Sequence, residues 1–139
     1  MKKVNKVLLL DDDPVSTYLN KCVINKSGIC NVIDVATSEQ EGLNWIYSNC
    51  HKRLNAEHPR DGVLVFSDMS MTAINGFEFL RTISKLRAKN IIHLPSIYFL
   101  TGSLSLENSV VVCGEYPVQG FFTKFLTEED ISLLVEETL

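Results

Sequence analysis

Residues Val7 to Pro14 read Val-Leu-Leu-Leu-Asp-Asp-Asp-Pro: an unbroken apolar run, three carboxylates and a proline. A continuous run of this kind suits a strand covered on both faces, whereas a strand with one wet face alternates apolar and polar residues. Asp13 before Pro14 supplies an N-cap and a proline at the first helical position, so a helix is expected to start where the acids end. Strand, acidic turn and helix form the opening of a βαβ unit, and the rest of the chain repeats that plan.

Apolar runs recur at residues 31–36, 63–67, 96–100 and 118–122 and alternate with segments of helical period. That alternation predicts five strands and five helices in an α/β, doubly wound parallel sheet with helices on both faces. On the first helix Val15, Leu19, Cys22 and Val23 share a face. The second has a capping box, Ser38 with Glu41, ahead of Leu43, Ile46, Tyr47 and Cys50. A third is expected from Gly76, with Phe77, Leu80 and Ile83 inward, and the last opens with Thr127 and Asp130 before Ile131, Leu134 and Val135. The fourth helix conflicts with its own sequence, because Val110-Val111-Val112 is a β-branched run that by itself reads as a strand. The stretch Asn49 to Asp61 exceeds an ordinary αβ connection and reads as either a prolonged helix or a partner-facing loop.

With 139 residues, 45% of them hydrophobic, the chain is the size of one domain, read as 1–139. A net charge of −4 provides no basic stripe for phosphate backbones, and Lys2, Lys3 and Lys6 read as a solvated terminus, so direct nucleic-acid binding is not expected. No membrane span or signal peptide is legible, and a cytoplasmic location follows as the expectation. Cys22, Cys30, Cys50 and Cys113 form no C-x-x-C pair and read as reduced core thiols; Cys50, His51 and His58 lie close in sequence but without a second ligand pair. Trp45 reads as packing.

Function concentrates at the strand ends. Asp11 and Asp12 follow the first strand, Asp68 the third, Thr101 the fourth and Lys124 the fifth. With strand order 2-1-3-4-5 the crevice lies between the first and third strands, where Asp11 and Asp12 face Asp68. Carboxylates ~4 Å apart repel by roughly 4 kcal/mol per pair at an effective dielectric near 20. A proton or a cation must relieve them, and Mg²⁺ suits carboxylates, a backbone carbonyl and a phosphoryl oxygen. Thr101 and Lys124 can hydrogen-bond and neutralise a phosphoryl group on Asp68, which makes Asp68 a candidate nucleophile forming an acyl phosphate.

These residues resemble the receiver domain of two-component response regulators, single-domain and chemotaxis-regulator-like, over essentially the whole chain. Val7 to Pro14 is similar to that family's opening motif, and Asp68 to Gly76 to its phosphoacceptor loop. The resemblance implies a flavodoxin-like fold, with Asp11, Asp12, Asp68 and the Ser70 carbonyl holding Mg²⁺. It further implies Asp68 as acceptor, Thr101 and Lys124 as its catalytic partners, and Thr101 with Phe121 as the switch pair. The implied donor is a histidine kinase or phosphotransfer protein. The resemblance also places output to a downstream protein, and dimer contacts, on the face of the fourth helix, fifth strand and fifth helix. It implies catalysis of the domain's own phosphorylation and dephosphorylation only. Met1 and the helical C-terminus suggest a stand-alone protein.

Two positions depart from the family. Thr72 stands where it usually has proline, and Phe125 follows Lys124 where it has a proline, commonly after a cis bond. A cis bond before a non-proline residue costs ~3–4 kcal/mol, so a trans Lys124–Phe125 peptide is expected. The lost prolines motivate a rival, a receiver-like binding module independent of phosphorylation. A second rival, an aspartyl phosphohydrolase, usually has an acid two residues after its nucleophile, and here that residue is Ser70. A flavin site is disfavoured because the acidic first loop would repel a flavin phosphate.

Overall fold

The computed structural model describes residues 4–30, 32–52, 62–73, 77–102 and 114–138. Strands β1 (Lys6–Leu10), β2 (Ile33–Ala36), β3 (Val63–Asp68), β4 (Ser96–Thr101) and β5 (Gly120–Thr123) form one sheet of order β2-β1-β3-β4-β5, with every neighbouring pair parallel. This is the expected order, and the sheet reverses direction of growth between β1 and β3. Helices α1 (Pro14–Ser27), α2 (Glu39–Cys50), α4 (Glu78–Ala88) and α5 (Glu128–Thr138) flank it, and a short helix, α3 (Met69–Ala73), follows β3 directly. The sequence reading had no place for α3. The expected fourth helix around Val110, and Cys113 after it, lie outside the described residues.

Successive strand residues point to opposite faces, and the sheet uses both. Leu8, Leu10, Val65, Ile97 and Phe99 pack with Ile46 and Cys50 of α2 and Phe79, Leu80 and Ile83 of α4. On the other face Val7, Leu9, Leu64, Phe66, Tyr98 and Leu100 pack with Ile24 of α1 and Ile131 and Leu134 of α5. Burial on both faces accounts for the continuous apolar runs of β1, β3 and β4, whereas β2 and β5 at the sheet edges are only partly covered. Gly42 of α2 permits the close approach to the sheet, since a Cβ there would lie 3.2 Å from both Leu10 Cδ1 and Phe79 Cε1.

Three helix starts follow their sequence signals, one of them with a variation; α4, expected from Gly76 with Phe77 inside it, begins instead at Glu78, with Phe77 ahead of it at φ 62° and no side-chain cap. Asp13 caps α1, accepting from the Val15 N–H at 3.0 Å and from Ser16 Oγ at 3.0 Å. Thr127 and Asp130 form a reciprocal box at α5. At α2 the Ser38 Oγ accepts from the Glu41 N–H, but the Glu41 carboxylate reaches back one residue further, to Thr37 N–H and Oγ. Trp45 packs against the core and donates through Nε1 to Asp34 at 2.8 Å.

Several expectations need correction. On α1 the inward face is Ser16, Asn20 and Ile24, while Val15, Leu19 and Cys22 are exposed and Val23 is half-buried. The polar pair faces inward because each side chain has an internal partner, Asp13 for Ser16 and the Leu126 N–H for Asn20. Cys22 is therefore not a core thiol; Cys30 and Cys50 are, and burial pushes the Cys50 thiol up to about 12. Tyr47 is exposed against the His51 ring. Lys6 belongs to β1, and its ammonium donates to Asn49 Oδ1 at 2.6 Å rather than standing in a solvated terminus. The long Asn49 to Asp61 stretch ends its helix at Cys50; His51 then bridges Ile92 antiparallel, and residues 53–61, with His58, lie outside the described residues.

Candidate functional site

The carboxyl edge of the sheet assembles the site from four strand ends. Asp11 leaves β1 with its N–H bonded to the Ala36 carbonyl at 3.0 Å, and Asp68 is the last residue of β3. Thr101 ends β4 beside Thr123 of β5, which delivers Lys124. The Lys124 N–H then bonds to the Thr101 carbonyl at 2.8 Å, so the threonine and the lysine are carried on hydrogen-bonded neighbours.

Asp11, Asp12 and Asp68 offer carboxylate oxygens that all lie within 4.8 Å of one another, the first and third buried and the second exposed. The Lys124 ammonium stands 3.2 Å from Asp68 Oδ2 and 3.8 Å from Asp11 Oδ2. Three carboxylates thus face one ammonium, which leaves two negative charges to be offset. Asp11 Oδ1 accepts from the Asp13 N–H at 2.9 Å, whereas the buried Asp11 Oδ2 has no hydrogen bond. Burial raises the Asp11 carboxyl above its ordinary range, opposed by the Asp13 N–H and Lys124 and reinforced by Asp68. A hard divalent cation fits this donor set, because it would take up the orphaned oxygen and favour the ionised form of each acid.

Ser70 opens onto Asp68 from α3, its N–H and Oγ both donating to Asp68 Oδ1 at 3.1 and 2.9 Å. Asp13, by contrast, serves α1: the Val15 N–H and the Ser16 hydroxyl hold its carboxyl below the usual range. Phe121, half-buried on β5, lies against Phe99 with ring centroids 5.5 Å apart.

The Lys124–Phe125 peptide is cis, against the expected trans bond. The expectation rested on the intrinsic preference of the peptide alone; here the chain is pinned on both sides of the bond. Lys124 is held by Thr101 through its backbone and by Asp68 through its ammonium, and Leu126 donates its N–H to Asn20 Oδ1 at 3.0 Å. Asn20 is the residue that sequence reasoning missed. Its signal was the spacing Ser16, Asn20, Ile24, which sets two polar residues on one helical stripe with an isoleucine.

No curated protein matches the chain. Among solved structures, a two-component response regulator from Cytophaga hutchinsonii superimposes with a TM-score of 0.74 at 21% identity, covering 98% of this chain and 97% of that one. A response regulator receiver protein from Dyadobacter fermentans gives 0.73 at 17% identity, with 96% and 97% covered. The Vibrio cholerae chemotaxis protein CheY4 gives 0.69 at 19% identity, with 98% and 99% covered. At such identities the likeness is one of fold. The model of the response regulator receiver domain matches residues 7–136, and the chain belongs to that family of two-component signalling domains.

Proposed function

We propose that Asp68 accepts a phosphoryl group from a histidine kinase or a phosphotransfer protein, and that the phosphorylated domain signals through protein contacts. The observation that carries this reading is the Lys124 ammonium 3.2 Å from Asp68 Oδ2 beside a three-carboxylate cluster. Asp11, Asp12, Asp68 and the Ser70 carbonyl would hold Mg²⁺, which when bound neutralises charge on the phosphoryl oxygens and on the acids. An Asp68 oxygen attacks phosphorus and the P–N bond to the donor's phosphohistidine breaks; the ring, already protonated on its other nitrogen, leaves with that electron pair as neutral imidazole. Lys124 and the Thr101 hydroxyl then donate to the phosphoryl oxygens, holding the charge that has arrived on the aspartyl phosphate.

Thr101 and Phe121 form the switch: the hydroxyl moves to the phosphoryl group and the Phe121 ring changes its burial against Phe99. Output runs through the face of β5 and α5, which also serves dimer contacts, in the cytoplasm where its donor and downstream protein meet; the fourth helix expected on that face lies outside the described residues. The domain catalyses only its own phosphorylation and dephosphorylation. Against a hydrolase, Ser70 holds the place of a second acid and its hydroxyl is bonded to Asp68.

Intact-mass spectrometry after incubation with acetyl phosphate tests the reading. One added phosphoryl group is expected in the wild type with Mg²⁺, and none without the metal or in Asp68→Asn. A wild type that binds Mg²⁺ by calorimetry yet gains no mass would instead be the phosphorylation-independent binding module.

A further inference from the structure

The amino-terminal end of the sheet, the pole opposite Asp68, holds a cavity of about 590 Å³ bordered by Lys52, Arg87, Asn90, His93, Ser96 and Gln119 among others. Small-molecule pockets fall at roughly 300–1,000 Å³, so the space suits a ligand larger than a single phosphate. No carboxylate borders it among the described residues, although the chain as a whole carries a net charge of −4. The hollow therefore concentrates positive charge on a negatively charged protein.

Its wall is a built feature. The segment after α2 pairs with the segment before β4: the Lys52 N–H donates to the Ile91 carbonyl at 3.1 Å and the His93 N–H to the Cys50 carbonyl at 2.8 Å. That pairing sets the Lys52 ammonium against Asn90, to whose Oδ1 it donates. Asn90 is itself held at φ 65°, a left-handed position that asparagine tolerates at the end of a helix. One bond to Asn90 leaves the ammonium two more donors.

Arg87 has an ordinary alternative role, offsetting the negative end of α4. The carbonyls of that last turn are, however, already engaged, since Lys85, Leu86 and Arg87 accept from the N–H groups of Lys89, Ile91 and Asn90. The guanidinium is not required as a cap. At the far side the Ser96 hydroxyl accepts from Gln119 Nε2 at 3.5 Å, so its own proton is available to donate inward. Gln119 is anchored in turn by the Tyr98 hydroxyl at 3.2 Å.

We propose that this cavity binds a small polyanion, with phosphoryl or carboxylate oxygens held by Lys52, Arg87 and Ser96. Such a site would report a metabolite to the domain independently of phosphorylation at Asp68. Pyrophosphate and citrate, titrated separately into the ¹⁵N-labelled chain in metal-free buffer, distinguish the two oxyanion types. The expected result is saturable amide shifts at residues 50–52, 87–93, 96 and 119 with one of the probes, without matching shifts around Lys124. Affinity should fall about tenfold or more for each charge-assisted contact removed, in Lys52→Gln, Arg87→Gln and the double variant. If the double variant loses its amide dispersion, the Arg87→Gln single variant decides. Absence of saturation by either probe up to about 10 mM would overturn the proposal. Equal shifts with chloride at matched ionic strength, or binding that the variants keep, would overturn it too.

Discussion

Asp11 shows how a site residue can oppose the fold that carries it. The residue is 3% exposed, one carboxylate oxygen lacks a hydrogen bond, and its affinity for protons is raised chiefly by burial. A carboxyl whose folded pKa lies above its unfolded value, about 3.9, subtracts stability once the pH climbs past that unfolded value. In metal-free buffer at pH 7, Asp11→Asn should therefore melt higher than the wild type. The gap should close on acidification below about pH 3, where both states of the wild type are protonated. Asp13 runs the other way: its lowered pKa adds stability above the unfolded value, lost as pH falls through the folded one. Calorimetric midpoints between pH 2.5 and 8 check the sign, and an Asp11→Asn variant less stable at pH 7 would contradict it.

At the scale of elements, the loop after β5 depends on α1. Asn20 is buried and its Oδ1 accepts the Leu126 N–H at 3.0 Å, across 106 residues of sequence. Asn20→Ala removes that acceptor and leaves the N–H without its partner, a change that typically costs about 1–3 kcal/mol. The variant should lose that much in urea titration, show faster amide exchange at Leu126, and accept phosphate from acetyl phosphate more slowly because Lys124 is less well held. An unchanged exchange rate at Leu126 would show that Asn20 does not order the loop. Here lies the boundary of what could be read from residues alone. Strands β1, β3 and β4 were legible because burial on both faces imposes unbroken apolarity, and the meeting of Asp11, Asp12, Asp68, Thr101 and Lys124 at one edge because each follows an apolar run. The inward face of α1 was not, because Ser16 and Asn20 are buried by hydrogen-bond partners, the cap Asp13 and the distant Leu126 N–H, and a search for apolar period passes over such a polar stripe. The Lys124–Phe125 bond escaped for a related reason: a local preference was weighed without the tertiary contacts on either side of it.

For the molecule as a whole, the site and the two cores share one sheet, so binding at the carboxyl edge should be felt throughout. A ligand that binds only the folded state adds RT ln(1 + [L]/Kd), about 2.7 kcal/mol at a hundredfold excess over Kd. Each of β1 and β3 sends alternate residues into both clusters and ends at the acids, so no layer can unfold while the site stays intact. Saturating Mg²⁺ should raise the exchange free energy of Leu8 and Val65 on one face and Leu9 and Phe66 on the other by the same amount, equal to the gain in global stability. Asp12 is the handle that separates metal from fold, because it is exposed while Asp11 and Asp68 are buried. Asp12→Ala should leave metal-free stability within about 0.5 kcal/mol of the wild type, as surface substitutions generally do, and abolish most of the Mg²⁺ increment. Protection confined to residues 11–13, 68–70 and 124–126 would mean that the cation orders only the rim, and the single cooperative unit inferred from the shared strands would have to be abandoned.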